Sequence, residues 1–276
     1  MLARKYLFPR VIEMNYQAGL PLGVNVYLLD GGNEFLLIDI GYLENVEEII
    51  ELIRRMDFNL STCKMLIATH ADADHIQGLA RAKEILKTKV AAHPLSVEPL
   101  ESGDKIITFA SIKAQHFEIP MPPCKVDVYL NEGDTIAVGD LRLKVWHTPG
   151  HTEGQLSFKM GNLLFSGDNI YKDSCVGAID AHHGSNLADF VASLKRIKRD
   201  DAEFLLPSHG PAFRKDPRVL QKAIDRLTQY QYMADFGTCA VGWPLLDEWE
   251  KDVNAGRLPD FSKEERPAKT RERARK

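Results

Sequence analysis

Hydrophobic and polar positions follow one another along the chain in a pattern that predicts short strands separated by amphipathic helices. Two apolar runs flank the turn Asp30-Gly31-Gly32, which predicts a β-hairpin. Apolar residues recur at helical spacing from Asn45 to Met56, and Asn45 with Glu48 fits a capping box. Asp216 followed by Pro217 predicts another helix start, because aspartate is a favoured N-cap and proline is favoured at the first helical position. The other predicted helices span residues 74–86, 187–197 and 243–253.

The middle of the chain is rich in predicted strands. A strand ending at Thr69 precedes it, a meander runs from Asp127 to Ser166, and a strand at Glu203–Leu206 follows it. Because strands dominate each half of the chain while helices interrupt them, we predict an α+β fold in which two sheets pack face to face with helices outside, a four-layer αββα sandwich. We assign residues 1–236 to this catalytic domain and residues 237–276 to a C-terminal helical extension with a basic tail.

Composition and charge narrow the class of protein. With 276 residues, of which 44% are hydrophobic and 27% charged, the chain is typical of a soluble globular protein. A formal net charge of −4 argues against nucleic acid as a partner, since nucleic-acid binders are usually basic. No apolar run is long enough to span a bilayer, and the first residues lack the apolar core of a signal peptide. The four cysteines lie far apart, as reduced thiols do. We therefore expect a cytoplasmic protein with no membrane partner.

Potential metal ligands follow several of the predicted strands, each in a turn of small residues. The densest set lies in the stretch Ile67-Ala68-Thr69-His70-Ala71-Asp72-Ala73-Asp74-His75. Single ligand residues follow later strands at His151, Asp168 and His209. A lone histidine at a strand end is more often a hydrogen-bonded surface residue. The recurrence of the pattern nevertheless favours a metal site built from loops at one edge of a rigid sandwich.

The order of these residues, His70-x-Asp72-x-Asp74-His75 followed by His151, Asp168 and His209, resembles that of the metallo-β-lactamase fold hydrolase superfamily. The segments Gly23–Tyr27 and Ile38–Gly41 also resemble the N-terminal strands of that family. The resemblance covers roughly residues 20–235 of the chain. It implies an αββα sandwich with up to two metal ions between the sheets.

By matching positions, the resemblance implies two adjoining sets of ligands. His70, position 72 and His151 would hold the first metal, Asp74, His75 and His209 the second, and Asp168 would bridge both. It also implies that Asp39 orients ligand side chains through hydrogen bonds. We expect two divalent metal ions, with zinc as the first expectation and iron or manganese as alternatives.

The chemistry expected of such a site is hydrolysis. Two cations held close together polarise a substrate oxygen and lower the pKa of a shared water. A metal-bridging hydroxide would then attack an ester, lactone, thioester or similar bond, and Asp74 would carry a proton toward the leaving group. The predicted partner is therefore a small-molecule substrate. The oligomeric state stays open, with a homodimer as one alternative.

Asp72 departs from the usual first motif of the family, His-x-His-x-Asp-His. One interpretation is that its carboxylate replaces an imidazole as a ligand of the first metal. The other is that Asp72 binds no metal and caps the helix that begins near Asp74. As a ligand it makes the summed charge of the site one unit less positive than a histidine would. The site would then attract anionic substrates less strongly, and Asp72→His should raise the turnover of a phosphodiester.

Both interpretations of Asp72 leave iron as an alternative metal. Carboxylate oxygens tilt metal preference toward iron or manganese, and two histidines with one carboxylate and open positions suit non-haem Fe(II). The second functional hypothesis is therefore a non-haem iron oxidoreductase on the same fold, either sulfur dioxygenase-like or related to flavodiiron proteins.

Other residues near the motifs are weaker candidates for the site. Tyr171 would donate a hydrogen bond to a developing oxyanion or serve only in packing. His182 and His183 would contact substrate or lie exposed in a loop. His147 falls outside the ligand set, and we expect a structural role for it.

Overall fold

The computed structural model describes residues 3–15, 23–112, 116–180, 183–231 and 251–257. The strands in these ranges are β1 (Ala3–Phe8), β2 (Val11–Asn15), β3 (Asn25–Asp30), β4 (Phe35–Ile38), β5 (Cys63–Ile67), β6 (Lys89–Ala92), β7 (Ser111–Ile112), β8 (Phe117–Glu118), β9 (Val128–Tyr129), β10 (Thr135–Val138), β11 (Leu141–His147), β12 (Leu156–Met160), β13 (Leu163–Gly167), β14 (Phe204–Pro207) and β15 (Phe213–Arg214). The α-helices are α1 (Val46–Arg55), α2 (Ala73–Ile76), α3 (Leu79–Leu86), α4 (Val97–Ser102), α5 (Leu187–Arg199) and α6 (Pro217–Tyr230).

The strands form two large sheets and one small one. The first sheet is seven-stranded in the order β1-β2-β3-β4-β5-β6-β9, the second is six-stranded in the order β10-β11-β12-β13-β14-β15, and β7 pairs with β8. The predicted hairpin is confirmed, since β3 and β4 are antiparallel with Tyr27 opposite Ile38. From β4 to β9 the first sheet is parallel, and β13 and β14 are parallel in the second. The carboxyl ends of these parallel strands therefore meet at common edges.

Three hydrophobic cores show that the two sheets are stacked between helices. Leu28 of β3 belongs to the core that the first sheet shares with α1 and α3, whereas its neighbour Leu29 belongs to the core between the sheets. In the second sheet, Phe165 faces the core between the sheets and Leu164 packs in the core with α5 and α6. The predicted four-layer αββα sandwich is confirmed.

The helix predicted over residues 74–86 is in fact two helices, α2 and α3. The carbonyl of His75 accepts hydrogen bonds from the N–H groups of Ile40 (3.1 Å) and Gly41 (3.0 Å), which removes it from a continuous helical ladder. Gly78 lies at the break, where a Cβ would come within 2.4 Å of Val46 Cγ2 on α1. The interruption ties the ligand-bearing turn α2 to the chain that leaves β4.

Two further details of the prediction are wrong. Asn45 makes no capping hydrogen bond to α1, because its backbone (φ −97°, ψ −7°) is already in the α region, whereas a capping residue is usually extended. The start of the predicted meander, Val128–Tyr129, pairs with β6 of the first sheet instead. The N–H of Leu130 also donates to Ala92 O (2.9 Å), so the chain crosses between the sheets only after this point. The free edge of β6 decided this pairing, and local sequence cannot show that edge.

Helices α5 and α6 agree with the sequence apart from the end of α5, whereas helix α4 and strand β15 were not predicted. Helix α5 extends two residues beyond the predicted end at residue 197. Helix α6 begins at Pro217, and the Asp216 side chain accepts a hydrogen bond from Arg218 N–H (2.8 Å), so the predicted cap is confirmed. Strands β1 and β2 were not predicted, and they extend the first sheet beyond β3.

The chain forms two compact units, Met1–Val241 and Gly242–Lys276. The predicted domain boundary after residue 236 stays a prediction. Most of the predicted helix at 243–253 lies outside the described residues, and residues 251–254 are helical. Within the described ranges, no helix is both long and apolar enough to cross a membrane.

Candidate metal centre

The ligand residues predicted from the sequence come together at one edge of the sandwich. The first motif spans the turn between β5 and α2, and the later residues follow β11, β13 and β14. Each strand is held in register by its neighbours, so the segments that follow the strand ends lie close together. The ligand cluster, as we call it, consists of His70, Asp72, Asp74, His75, His151, Asp168 and His209.

One group within the ligand cluster contains His70, Asp72 and His151. The Nε2 atoms of the two histidines are 3.2 Å apart. The Oδ2 atom of Asp72 lies 3.0 Å from His151 Nε2 and 3.6 Å from His70 Nε2. All three side chains are buried. Three donor atoms therefore converge where the sequence predicts the first metal.

A second group contains Asp74, His75 and His209. Asp74 Oδ2 lies 3.2 Å from His209 Nε2 and 3.4 Å from His75 Nε2. The Oδ2 atom of Asp168 is 3.5 Å from His209 Nε2 and 3.7 Å from the Nε2 atoms of both His75 and His151. Asp168 is thus placed between the two groups, as expected for a bridging carboxylate.

Asp39 orients two rings of the ligand cluster. Its Oδ2 lies 3.0 Å from His75 Nδ1, and its Oδ1 accepts a hydrogen bond from the Thr69 N–H (2.8 Å). The Thr69 hydroxyl donates to Asp39 Oδ2 (2.9 Å) and lies 2.9 Å from His70 Nδ1. Asp39 has a left-handed backbone (φ 59°), which aspartate adopts more readily than most residues. The sequence analysis missed Thr69, for which its position directly before His70 is the only signal.

Backbone carbonyls orient the other two rings. Nδ1 of His151 donates to Ala178 O (2.7 Å), and Nδ1 of His209 donates to Gly23 O (2.6 Å). A carbonyl oxygen only accepts, so each Nδ1 carries a proton, and a ring that has lost its second proton keeps its lone pair on Nε2. Both Nε2 atoms face the centre of the ligand cluster, which is the tautomer that metal binding requires.

The donor atoms of the ligand cluster fit a metal. In the described part of the chain, the buried side-chain atoms without a hydrogen-bond partner include His75 Nε2 and Asp168 Oδ1 of the ligand cluster. Buried polar atoms are normally satisfied, so these two indicate a missing binding partner. A cation satisfies imidazole nitrogen and carboxylate oxygen together, and zinc, iron and manganese all accept such donors. A third group, His70, His75 and Asp168, shares one histidine with each of the two groups, and together they match two neighbouring cation positions.

The carboxylates and imidazoles of the ligand cluster shift each other's pKa values. Burial lowers the pKa of His75, but the carboxylates of Asp74, Asp168 and Asp39 outweigh it and raise the pKa to about 10. Burial likewise lowers the pKa of His151, and Asp72 with Asp168 raises it to about 9. Without metal, these rings therefore hold protons at neutral pH. A metal has to displace those protons in order to bind.

Asp72 occupies the N-cap position of α2, but its side chain makes no capping hydrogen bond. The interpretation that this side chain caps the helix is therefore wrong. Burial raises the pKa of Asp72, and the neighbouring rings of His183, His70 and His151 outweigh it and hold the pKa well below its usual value. Asp72 Oδ1 lies 2.6 Å from His183 Nε2. His183 is only 3% exposed, so its interpretation as an exposed loop residue is also wrong.

Of the other candidate residues, Tyr171 contacts the ligand cluster and His147 does not. The ring of Tyr171 meets that of His209 edge to face, with centroids 5.5 Å apart. Burial and the Asp168 carboxylate raise the pKa of Tyr171 well above its usual value, so its hydroxyl stays protonated. His147 lies outside the ligand cluster, where its ring stacks on His93 at 4.1 Å. His182 lies outside the described residues.

Comparison with known proteins identifies the family. Residues 19–209, more than half of the chain, match the model of the Metallo-beta-lactamase superfamily. The chain belongs to this superfamily. The resemblance drawn from the motifs is confirmed, and so is the prediction of a metal-dependent hydrolase at the level of the superfamily. Zinc, iron and manganese remain alternatives for the metal.

Individual superfamily members match over most of their length. The acyl-coenzyme A thioesterase MBLAC2 of Gallus gallus is 30% identical over 240 residues, which cover 79% of this chain and 83% of that protein. A structure of TTHA1623 in a di-iron-bound form has a TM-score of 0.60 and 29% identity, covering 74% of this chain and 95% of that one. A mutant metallo-beta-lactamase from Cronobacter sakazakii has a TM-score of 0.66 at 18% identity, covering 94% of this chain and all (100%) of that one, which shows a shared fold.

Proposed function

We propose that this superfamily member hydrolyses a thioester of a small acyl substrate with two divalent metal ions. The observation that carries the proposal is the pair of adjoining ligand groups with Asp168 between them. The thioester is chosen because a relative of 30% identity over 79% of the chain is named as an acyl-coenzyme A thioesterase. Esters and lactones need the same chemistry and are the closest alternatives.

The side chains around the ligand cluster would divide the work of hydrolysis. When bound, two cations polarise an acyl carbonyl and make a water between them more acidic. Asp74 is 18% exposed at its side chain, with Oδ2 among the donor atoms of the second group. From this position its carboxylate would accept the proton of the attacking water and pass it to the departing thiolate.

Tyr171 would stabilise the negative charge that develops on the carbonyl oxygen. Its raised pKa keeps the hydroxyl a donor throughout the neutral range. A protein donor directed at a developing oxyanion contributes most where water is excluded. Tyr171 is half-buried beside the Asp168 carboxylate, so a bound substrate would have to complete the exclusion of water around its hydroxyl.

An apolar segment beside the ligand cluster supports an acyl substrate. Thr108 O accepts a hydrogen bond from the Ala73 N–H (2.7 Å) at the start of α2, and Ile107 O accepts one from His183 Nδ1. The adjacent side chains of Ile106 and Ile107 are 60% and 36% exposed. These exposed isoleucines would contact the acyl chain while the thioester group of the substrate enters the ligand cluster.

Metal analysis together with turnover assays tests the proposed function. The protein is purified without added metal, its metal content is measured, and it is assayed with acyl thioesters from acetyl to palmitoyl. We expect about two metals per chain and thioester cleavage that a chelator abolishes. Metal-loaded protein that cleaves no acyl thioester would refute the proposal, and cleavage of esters or lactones instead would establish the alternative substrates.

A non-haem iron oxidoreductase is the second candidate function. The observation that favours it is the similarity to TTHA1623, for which a di-iron-bound structure is known. The carboxylate of Asp72 beside two histidines also suits iron. Near-stoichiometric iron with thiol-dependent oxygen uptake and no thioester cleavage would establish this function in place of the hydrolase.

The isoleucine pair gives a prediction about chain length. Ile106→Ser with Ile107→Ser should raise KM for palmitoyl thioesters about tenfold or more, since burying an apolar side chain stabilises a complex by about 1.5–3 kcal/mol. Acetyl thioesters, which are too short to use the pair, serve as the control and should keep their KM. Equal increases in KM for both substrates would show that the serines disturb the ligand cluster rather than contacts with the acyl chain.

A further inference from the structure

His183 has an unusual position for a residue of a loop. Its side chain is almost fully buried, with the ring against that of Phe109 at a centroid distance of 3.9 Å. The Nδ1 atom donates to the backbone carbonyl of Ile107. Its other nitrogen, Nε2, lies 2.6 Å from Asp72 Oδ1, an ion-pair contact between two buried atoms that are not aligned as a hydrogen bond. Both ends of the imidazole therefore meet protein atoms.

The two oxygens of Asp72 face different partners. Oδ2 lies 3.0 Å from His151 Nε2, in the first ligand group, whereas Oδ1 points to His183. A carboxylate turns about its last torsion with little energetic preference, so an unsupported aspartate can offer either oxygen or both to a metal. A histidine at this position would offer a single nitrogen. With aspartate in place of histidine at position 72, the orientation of the carboxylate therefore has to be fixed by another residue.

We propose that His183 is a positioning residue, which holds Asp72 Oδ1 so that Oδ2 alone faces the first metal. The inference rests on the metal centre of the proposed function and not on the identity of the substrate. It departs from the expectation that His183 contacts substrate, because Nδ1 donates to Ile107 O and Nε2 lies against Asp72 Oδ1. Phe109 and Ile107 O fix the ring, and the ring fixes the carboxylate.

A matched pair of variants tests the positioning role. His183→Gln keeps an amide near the Nε2 position, whereas the shorter His183→Asn keeps one only near Nδ1. Titration with Co²⁺ measures the affinity of each metal position, and the visible absorption spectrum of bound Co²⁺ reports its coordination. Partners that orient a ligand typically contribute about 10–100-fold to metal affinity.

We expect His183→Asn to weaken the first Co²⁺ position by about 10–100-fold and to change its spectrum. His183→Gln should stay within about threefold of the wild type, and the second position should keep its affinity in both variants. In an Asp72→Ala background, His183→Asn should have no further effect on Co²⁺ affinity, because the role runs through Asp72.

Two outcomes would overturn the positioning role. Wild-type Co²⁺ affinity and spectrum in His183→Asn would by themselves refute the positioning role, and a raised KM in addition would make His183 a substrate contact. An equal loss in the Asp72→Ala background would show that His183 acts independently of Asp72. The Co²⁺ readouts do not require turnover, so a protein that binds Co²⁺ normally but cleaves no thioester would refute the proposed function while leaving this test intact.

Discussion

His147 and His151 lie four positions apart in one stretch of chain, yet the structure gives them different surroundings. His151 directs Nε2 at His70 and Asp72, whereas Nε2 of His147 donates to Glu153 O (2.7 Å). Residue type alone does not distinguish the two. The order of motifs favoured His151 as the ligand, and the direction of each ring agrees with that assignment.

Replacement of these two histidines tests the ligand assignment. His151→Ala should remove most of the metal from the first position, because it deletes one of three converging donors. His147→Ala is the matched control and should keep the wild-type metal content. Elemental analysis of both proteins decides the matter. If the two variants retain the same amount of metal, His151 is not a ligand.

Single residues also mark the limit of the sequence analysis. The motif could not decide whether Asp72 faces the centre or caps α2, since an aspartate before a helix is suited to both. The side-chain direction is set by contacts with His151 and His183, which lie 79 and 111 positions away in sequence. Its effect on anionic substrates stays a prediction, with Asp72→His as its test.

At the scale of elements, the loops after the strands orient the side chains of the ligand cluster as well as carrying them. The segment after Asp168 folds back, so that Gly177 N–H donates a hydrogen bond to Asp168 O (2.9 Å) and Ala178 O accepts one from His151 Nδ1. Gly177 has no room for a side chain. A Cβ there would lie 2.8 Å from both Asp168 O and the His151 ring. One glycine thus allows two ligand-bearing loops to touch.

Gly177→Ala should therefore weaken the first metal position by about tenfold or more, since it displaces an oriented ligand. Overpacking should also lower the free energy of unfolding by about 1–3 kcal/mol. Gly161→Ala is the control, at a turn with φ +56° and no atom within 4 Å of the added carbon. It should cost stability through backbone strain and leave metal affinity unchanged. Metal titration and thermal unfolding measure both effects, and equal metal affinities in the two variants would contradict the argument.

Local patterns in the sequence predicted most helices and strands, but not all of the contacts between them. The hairpin β3–β4, helix α5 and the cap of α6 depend on neighbours in sequence, and the structure agrees with them. The break between α2 and α3 depends on hydrogen bonds from Ile40 and Gly41, and the pairing of β9 depends on a free edge of β6. Contacts of that kind leave little trace in a local pattern.

At the scale of the whole molecule, the sandwich gathers acids and bases from distant parts of the chain into one buried place. Without metal, His75 with a pKa of about 10 and His151 with a pKa of about 9 hold protons beside carboxylates. A pKa raised by folding contributes stability that is complete below the unfolded value of about 6.5 and is lost as pH rises through the folded value. The metal-free protein should therefore lose stability between about pH 7 and pH 10.

Removal of metal should consequently lower Tm more at high pH than at low pH. Metal also competes with fewer protons as pH rises, so its affinity increases in the same direction. At a free metal concentration of about 100 Kd, each ion adds about 2.7 kcal/mol to the free energy of unfolding. Calorimetry with and without chelator, at about pH 6 and about pH 9, measures the difference. A difference in Tm that does not change with pH would contradict the proton-holding ligand cluster.

The sequence by itself determined the family, the four-layer class and the identity of the ligand candidates. Those depend on local periodicity and on the order of rare residue types, both of which the chain displays directly. Only the tertiary structure decided that Asp72 turns toward the centre, that Thr69 links Asp39 to His70, and that His183 is buried against Asp72. These contacts join loops brought together by packing two sheets, and the free energy that fixes them comes from that packing rather than from the residues nearest in sequence.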